Sequence, residues 1–382
     1  MKRRDLILLM TVWAYAQNAW ADAQTTIDPG FYTSARAGAL AGAISGTANG
    51  LDAAFWNPAL IGGMEGAKQN VRNLHLPYFG VSYNSNTQNL KSRFDSQGGD
   101  TNPKIGEAIV NSSKGTRQYG RFSSGIDIEW KRLLLNGFVD LQAAALSPSD
   151  RSPDPITGET IVALKYHETA GGGVGFSWMN AKNTFSIGWY GAALQVKDLE
   201  GEIPYLQLID SEKRGEYFDS QMNKYSALLN HLGLWYRIPN ALNPTFSIVA
   251  RNPGDARLKN KSASSRDATI KEDWVVGFGL QPKLGPGVLS WNTDFSRTSE
   301  HEESLRSKMA TSLEYSLGGI GSNAAFAIRS GLNQAGLSAG LGMSLGILNL
   351  DVASAAVNIG DINDRISERR TSVVLSVNVR EP

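Results

Sequence analysis

The chain has 382 residues, with 37 lysines and arginines against 36 aspartates and glutamates and no cysteine. The near-neutral balance gives no electrostatic footprint for nucleic acid, and the lack of cysteine excludes disulfides, thiolate metal sites and a lipid-modified N-terminal cysteine. No segment supplies 18 unbroken apolar residues, which excludes a helical membrane protein but not one that crosses with strands.

The first element is an export signal. Met1-Lys2-Arg3-Arg4 precedes the apolar run from Leu6 to Ala16, and Ala19-Trp20-Ala21 places small residues where a signal peptidase reads. This predicts a signal peptide over 1–21, with cleavage before Asp22 or, alternatively, after Ala16. The apolar run falls short of the roughly 20 residues a spanning helix needs. Cleavage removes three cations and one anion, taking the formal charge from +1 to −1.

Residues 22–70 lack strand character. Ser34-Ala35-Arg36-Ala37-Gly38-Ala39-Leu40-Ala41-Gly42-Ala43 is rich in small residues and leads, past Asp52, to Asn57-Pro58-Ala59-Leu60. Few charges and many small apolar groups predict a hatch folded inside a barrel lumen, because a free periplasmic tail would be more polar.

From residue 71 to the end the sequence reads as strands. Ile126, Ile128 and Trp130 alternate with Gly125, Asp127 and Glu129; Val174, Phe176 and Trp178 with Gly175 and Ser177; Leu289, Trp291 and Phe295 with Ser290, Asn292 and Asp294. Leu313, Tyr315 and Leu317 alternate with Glu314 and Ser316, and Val373, Leu375, Val377 and Val379 with Ser372, Ser376, Asn378 and Arg380. Successive side chains point to opposite faces of a strand, so each set describes one lipid-facing and one lumen-facing surface. Trp130, Trp178, Trp189, Trp274 and Trp291 add the aromatics that gather at membrane boundaries. Fifteen candidate strands can be marked. Merging 160–180 into one unit bent at Ala170-Gly171-Gly172-Gly173 leaves 14 and puts every longer connection on the outer side. The predicted fold is therefore all-β: an antiparallel transmembrane β-barrel of 14 strands over 71–382, with an N-terminal hatch.

No enzyme is read from the chain. His75, His167, His231 and His301 are widely separated, and His301-Glu302-Glu303 lacks the second histidine of a helical zinc site. No serine elbow or phosphate-binding loop is present, so no catalytic residue, metal or cofactor is expected.

The run Ser34 to Gly42, the spacer through Asp52 and Asn57-Pro58-Ala59-Leu60 resemble the N-terminal signature of the FadL-type outer-membrane long-chain fatty acid transporters. Their wider superfamily includes toluene and xylene channels and the PorV-type barrels. Leu313-Glu314-Tyr315, Ile328-Arg329-Ser330-Gly331 and Leu341-Gly342-Met343-Ser344-Leu345-Gly346 are similar to the family's C-terminal strands. The resemblance implies a 14-stranded outer-membrane barrel whose hatch includes Arg36, Asp52, Asn57, Pro58 and Ala59. It also implies a lateral opening at a kinked strand, with Gly171, Gly172 and Gly173 as the nearest counterpart. Its implied partners are outer-membrane lipids, the barrel-assembly machinery and a hydrophobic small-molecule ligand, long-chain fatty acids first. Arg329 and Arg380 are inward candidates by periodicity for an acyl carboxylate. Two features depart from the family: the chain ends Val379-Arg380-Glu381-Pro382 without an aromatic, and the first long connection, 85–119, is polar. The alternative is a non-transporting barrel that binds a protein partner or serves a structural role.

Overall fold

The computed structural model describes residues 34–63, 72–96, 110, 116–147, 153, 158–260, 268–297, 305–318, 324–359 and 367–381. The predicted signal peptide and His301 lie outside them. The alternating segments form one antiparallel sheet closed on itself. Its strands are β1 (Arg72–Asn84), β2 (Thr116–Trp130), β3 (Leu133–Ser147), β4 (Ile161–Met179), β5 (Phe185–Pro204) and β6 (Asn223–Arg237). They continue with β7 (Thr245–Arg251 and Ala256–Asn260), β8 (Ala268–Ile270 and Asp273–Leu280), β9 (Gly287–Phe295), β10 (Met309–Leu317), β11 (Ala324–Asn333), β12 (Gly336–Leu345), β13 (Leu348–Asn358) and β14 (Ser367–Glu381). Each strand pairs with its sequence neighbour, and β1 pairs with β14 from Arg72↔Glu381 to Asn84↔Arg370. That last ladder leaves no free edge, which is what lets strands cross a bilayer.

The two faces separate as the alternation requires. On β2, Ile126, Ile128 and Trp130 point outward at 43%, 47% and 49% exposure, while Asp127 and Glu129 turn inward at 1% and 5%. Phe176, Trp178, Phe246, Leu313, Ile328 and Leu375 continue the bare apolar belt around the wall. Such a continuous belt is a lipid-facing surface.

The region 160–180, read as one unit, is a single 19-residue strand. Its glycines do not interrupt it: Gly171, Gly172 and Gly173 keep partners in register on both β3 and β5. The ladder breaks lie elsewhere. On β1 the register shifts around Pro77 against both neighbours, as expected where proline supplies no N–H. Between β6 and β7, pairing runs from Arg237↔Thr245 to His231↔Arg251 and resumes at Ser226↔Lys259. Residues 252–255 bulge out between these ladders, with Asn252, Gly254 and Asp255 all at positive φ.

The wall is uneven in height. β9 and β10 have 9 residues each, close to the span of a bilayer-crossing strand. β4 and β5 have 19 and 20, about 60 Å at ~3.3 Å per residue, and project beyond the long-connection rim. Their outward apolar residues there, Val162, Leu164, Leu199 and Ile203, are covered by α4 (Tyr205–Ile209) and α5 (Ser211–Gln221), which follow α3 (Ser85–Ser96) among the described residues, through Tyr205, Leu208, Tyr217 and Phe218. The projection thus carries its own small core in water.

Candidate functional site

Residues 34–63 pack against the inward faces of the barrel near the short-turn rim. They comprise α1 (Ala35–Ala39), α2 (Leu51–Trp56) and a 3-10 turn (Pro58–Leu60). Ser34 caps α1, its Oγ accepting from the Ala37 N–H at 2.9 Å. α1 has only five residues, too few to hold itself as an isolated helix, so docking fixes it.

Docking of the first half rests on buried charge. Arg36 donates to Glu314 on β10 with Nε at 2.9 Å and Nη2 at 3.1 Å, a bidentate pair, and Nη2 also reaches the Thr47 carbonyl at 3.2 Å. Asp52 lies 3.6 Å from Arg36 Nη1. Glu314 also accepts from Arg329 Nε at 2.7 Å, and Arg329 in turn pairs with Asp351 on β13. Burial works against the charge on Arg36, but Glu314 and Asp52 outweigh it and hold the guanidinium more basic than usual. Burial also raises the Asp52 carboxyl above its ordinary range, opposed by Arg36. Further along, Ser45 donates to Asp294 from its N–H at 2.8 Å and its Oγ at 2.7 Å. Trp235, fully buried, donates Nε1 to the Gly46 carbonyl at 3.1 Å.

The second half is held by close approach. Asn57 Nδ2 donates to the Ser45 carbonyl at 2.7 Å while Oδ1 accepts from the Ala59 N–H at 3.1 Å. Pro58 opens the 3-10 turn, where its missing N–H costs nothing. The backbone here lies so near the wall that a Cβ on Gly188 would collide with Pro58 and one on Gly233 with Asn57. Ser186 and Ser177 donate to the Ala59 and Ile61 carbonyls, each at 2.6 Å, and Glu129 accepts from the Gly62 N–H at 2.6 Å. Phe55 points into an aromatic cage, edge-on to Phe138 at 5.5 Å and Tyr190 at 5.2 Å, with His231 at 6.5 Å.

Above Phe55 the lumen has two unlike sides. On β5 to β8 the inward residues are Leu194, Val196, Tyr225, Leu229, Leu258 and Ile270, all in one apolar cluster with Phe55. On β14 and β1 to β5 they are polar: Arg121 is ion-paired with Asp140 at 2.6 Å and Arg370 with Glu368 at 2.7 Å, and His167 Nδ1 lies 3.3 Å from Asp198.

Arg36, Asp52, Asn57, Pro58 and Ala59 therefore sit together in the inserted segment. Gly171 to Gly173 lie in the wall beside it, where Gly173 makes room for the Tyr190 ring. Arg329 is inward but committed to Glu314 and Asp351, so it does not offer a free cation to a carboxylate. Arg380 faces Asn73 in the ladder. Reasoning from sequence missed Glu314, Asp294 and Phe55 as docking partners. A signal for the first two was present, since both are acids at lumen-facing positions of otherwise small-polar faces. Among the described residues, no group of three or more histidine, aspartate or glutamate side chains is arranged to hold a metal.

These features define a closed, 14-stranded membrane β-barrel with a chain segment lodged in its lumen. No protein-family model matches the chain, and no curated protein matches its sequence. In fold it is similar to the TodX monoaromatic hydrocarbon channel in a deltaS2 mutant form, with a TM-score of 0.52 and 10% identity over 93% of this chain and 99% of that one. The Pseudomonas putida toluene transporter TodX also matches, with a TM-score of 0.47 and 10% identity over 91% and 97% of the two chains. For the CymD monoaromatic hydrocarbon channel the values are 0.43 and 10% over 87% and 92%. The first of these likenesses establishes the architecture, that of the TodX-type barrel.

Proposed function

We propose that the chain is an outer-membrane channel for hydrophobic small molecules, exported by a signal peptide over 1–21, inserted by the barrel-assembly machinery, and closed by a hatch over 22–70. The observation that carries this reading is the apolar side of the lumen, which runs from Leu258 and Tyr225 down to Phe55 of the inserted segment. A greasy solute entering from the long-connection rim meets that surface, where each buried methylene contributes about 0.8 kcal/mol. Passage further down is blocked by the Phe55 cage, so exit through the wall is the route the geometry favours. The proposed window is the sector from Gly171 to Gly173, where side-chain bulk is reduced, across to the β6–β7 bulge, where strand pairing is interrupted. The architecture shared with a hydrocarbon channel supports the same class of cargo. Long-chain fatty acids are the first cargo to test and monoaromatic hydrocarbons the second.

The test is uptake of labelled oleate and labelled toluene by cells with and without the gene, and with Leu229→Asp, which places a charge on the apolar side. Uptake that needs the gene and falls in the variant is the expected result. Unchanged uptake of both solutes on deletion rejects transport and favours a barrel that binds a protein partner.

A further inference from the structure

On the outer, membrane-facing side of the wall, a groove of about 790 Å³ crosses β4 to β7. Its floor is made of outward positions with little or no side chain, Ala170, Gly172, Ala193 and Ser226. Toward the short-turn rim the same surface rises into Phe176 and Trp189, whose rings pack at 5.6 Å. Leu228 stands at the groove edge, 68% exposed. The floor of the trough is small and largely apolar, a surface on which an acyl chain can lie.

Its upper end is basic. Lys197 and Lys224 are cross-strand partners, Lys259 is paired in register with Ser226, and Arg257 lies two residues from Lys259 on the same face. Lys197 is matched by Glu168 at 2.7 Å. Lys224, Arg257 and Lys259 make no ion pair among the described residues. Two carboxylates lie close by, Asp255 of the bulge, which also lines the groove, and Glu272; each accepts from a backbone N–H, Asp255 from Glu272 at 2.8 Å and Glu272 from Gly254 at 3.1 Å. Like charges facing each other across a ladder destabilise a sheet; Glu168 offsets Lys197, and an anion held by Lys224, Arg257 and Lys259 relieves the repulsion that remains.

The height of the cluster shows where that anion comes from. Just above it the outward face of β4 and β5 is covered by α4 and α5; just below it the face is bare and apolar. The cations therefore stand at the headgroup level of the lipid layer. We infer that the groove binds a membrane lipid with a phosphate-bearing, anionic headgroup, its chain over Gly172 and Ala193 and its phosphate held by Lys224, Arg257 and Lys259. The groove lies on the membrane side of the sector proposed above as the exit window, but its trough and its cations are read from the outer face of the wall and do not depend on the channel reading.

The full chain, reconstituted in phosphatidylcholine bilayers with a trace of spin-labelled lipid, tests the inference through the motionally restricted fraction of the resonance spectrum. Spin-labelled phosphatidylglycerol should be restricted several-fold more than spin-labelled phosphatidylcholine. The preference should fall toward parity in the Lys224→Gln, Arg257→Gln, Lys259→Gln variant. It should also fall in Ala193→Trp, which fills the trough but keeps every cation; heat-modifiable gel mobility verifies that both variants are folded. A wild-type protein with no preference, or a triple variant that retains it, overturns the site. A preference lost in the triple variant but kept in Ala193→Trp overturns the groove as the chain-binding element. Displacement of the lipid by millimolar inorganic phosphate overturns the lipid as the ligand.

Discussion

The two halves of the segment lodged in the barrel are held by different physics. Residues 34–49 dock on the low wall, β7 to β14, through polar groups that reach inward: Glu314 to Arg36, Asp294 to Ser45, Ser312 to the Ala43 carbonyl. Residues 51–63 dock on the tall wall, β2 to β6, where glycines let backbone lie on backbone and Phe55 fills an aromatic cage. The first half is fixed by a few directional, desolvated contacts whose loss leaves charges stranded. The second is fixed by shape. A buried ion pair is sensitive to the removal of either partner, whereas a close-packed surface is sensitive to added volume.

That contrast breaks most completely at the glycines. Gly188→Val together with Gly233→Val adds bulk where Pro58 and Asn57 already touch the strand, so residues 51–63 can no longer seat. The expected outcome is a folded barrel with greatly raised ion conductance in planar bilayers; wild-type conductance would show that the second half does not close the lumen. Next in size is Glu314→Ala, which removes the carboxylate that Arg36 and Arg329 share and leaves them only Asp52 and Asp351. A loss of about 3–5 kcal/mol is expected for a broken buried pair, read as a lower unfolding midpoint. Proteolysis should find residues 34–49 exposed while 51–63 stay protected. If both halves are released together, they are one cooperative unit and the comparison fails. Phe55→Leu is the smallest change. It keeps apolar volume but loses edge contacts worth about 0.5–1.5 kcal/mol each. It should leave conductance closed and sharpen the distinction by shifting only the protection of 51–63 in hydrogen exchange.

The alternating segments read from the sequence are the strands of the barrel, and Ile128 facing lipid while Glu129 faces the lumen was set by the two-residue period alone. The strand count followed from parity. The same reasoning placed a bend at Gly171 to Gly173, yet the ladders there run unbroken; the breaks fall at Pro77 and at Asn252 to Asp255. Glycine permits a bulge without requiring one, whereas Pro77 removes a donor from the ladder and three extra residues at 253–255 cannot be paired.

Composition and periodicity thus determined that this chain makes an antiparallel 14-stranded wall with an apolar outside and that its N-terminal part differs in kind. Those properties are local, because each residue's face follows from its neighbour's. Which inward acid meets Arg36, why Gly188 and Gly233 bear no side chain, and where an outward basic cluster gathers around Gly172 and Ala193 were decided only by the tertiary structure. These contacts join positions far apart in the sequence, Arg36 to Glu314 and Ser45 to Asp294 among them, and no local period carries the angle at which one strand of a closed barrel faces another.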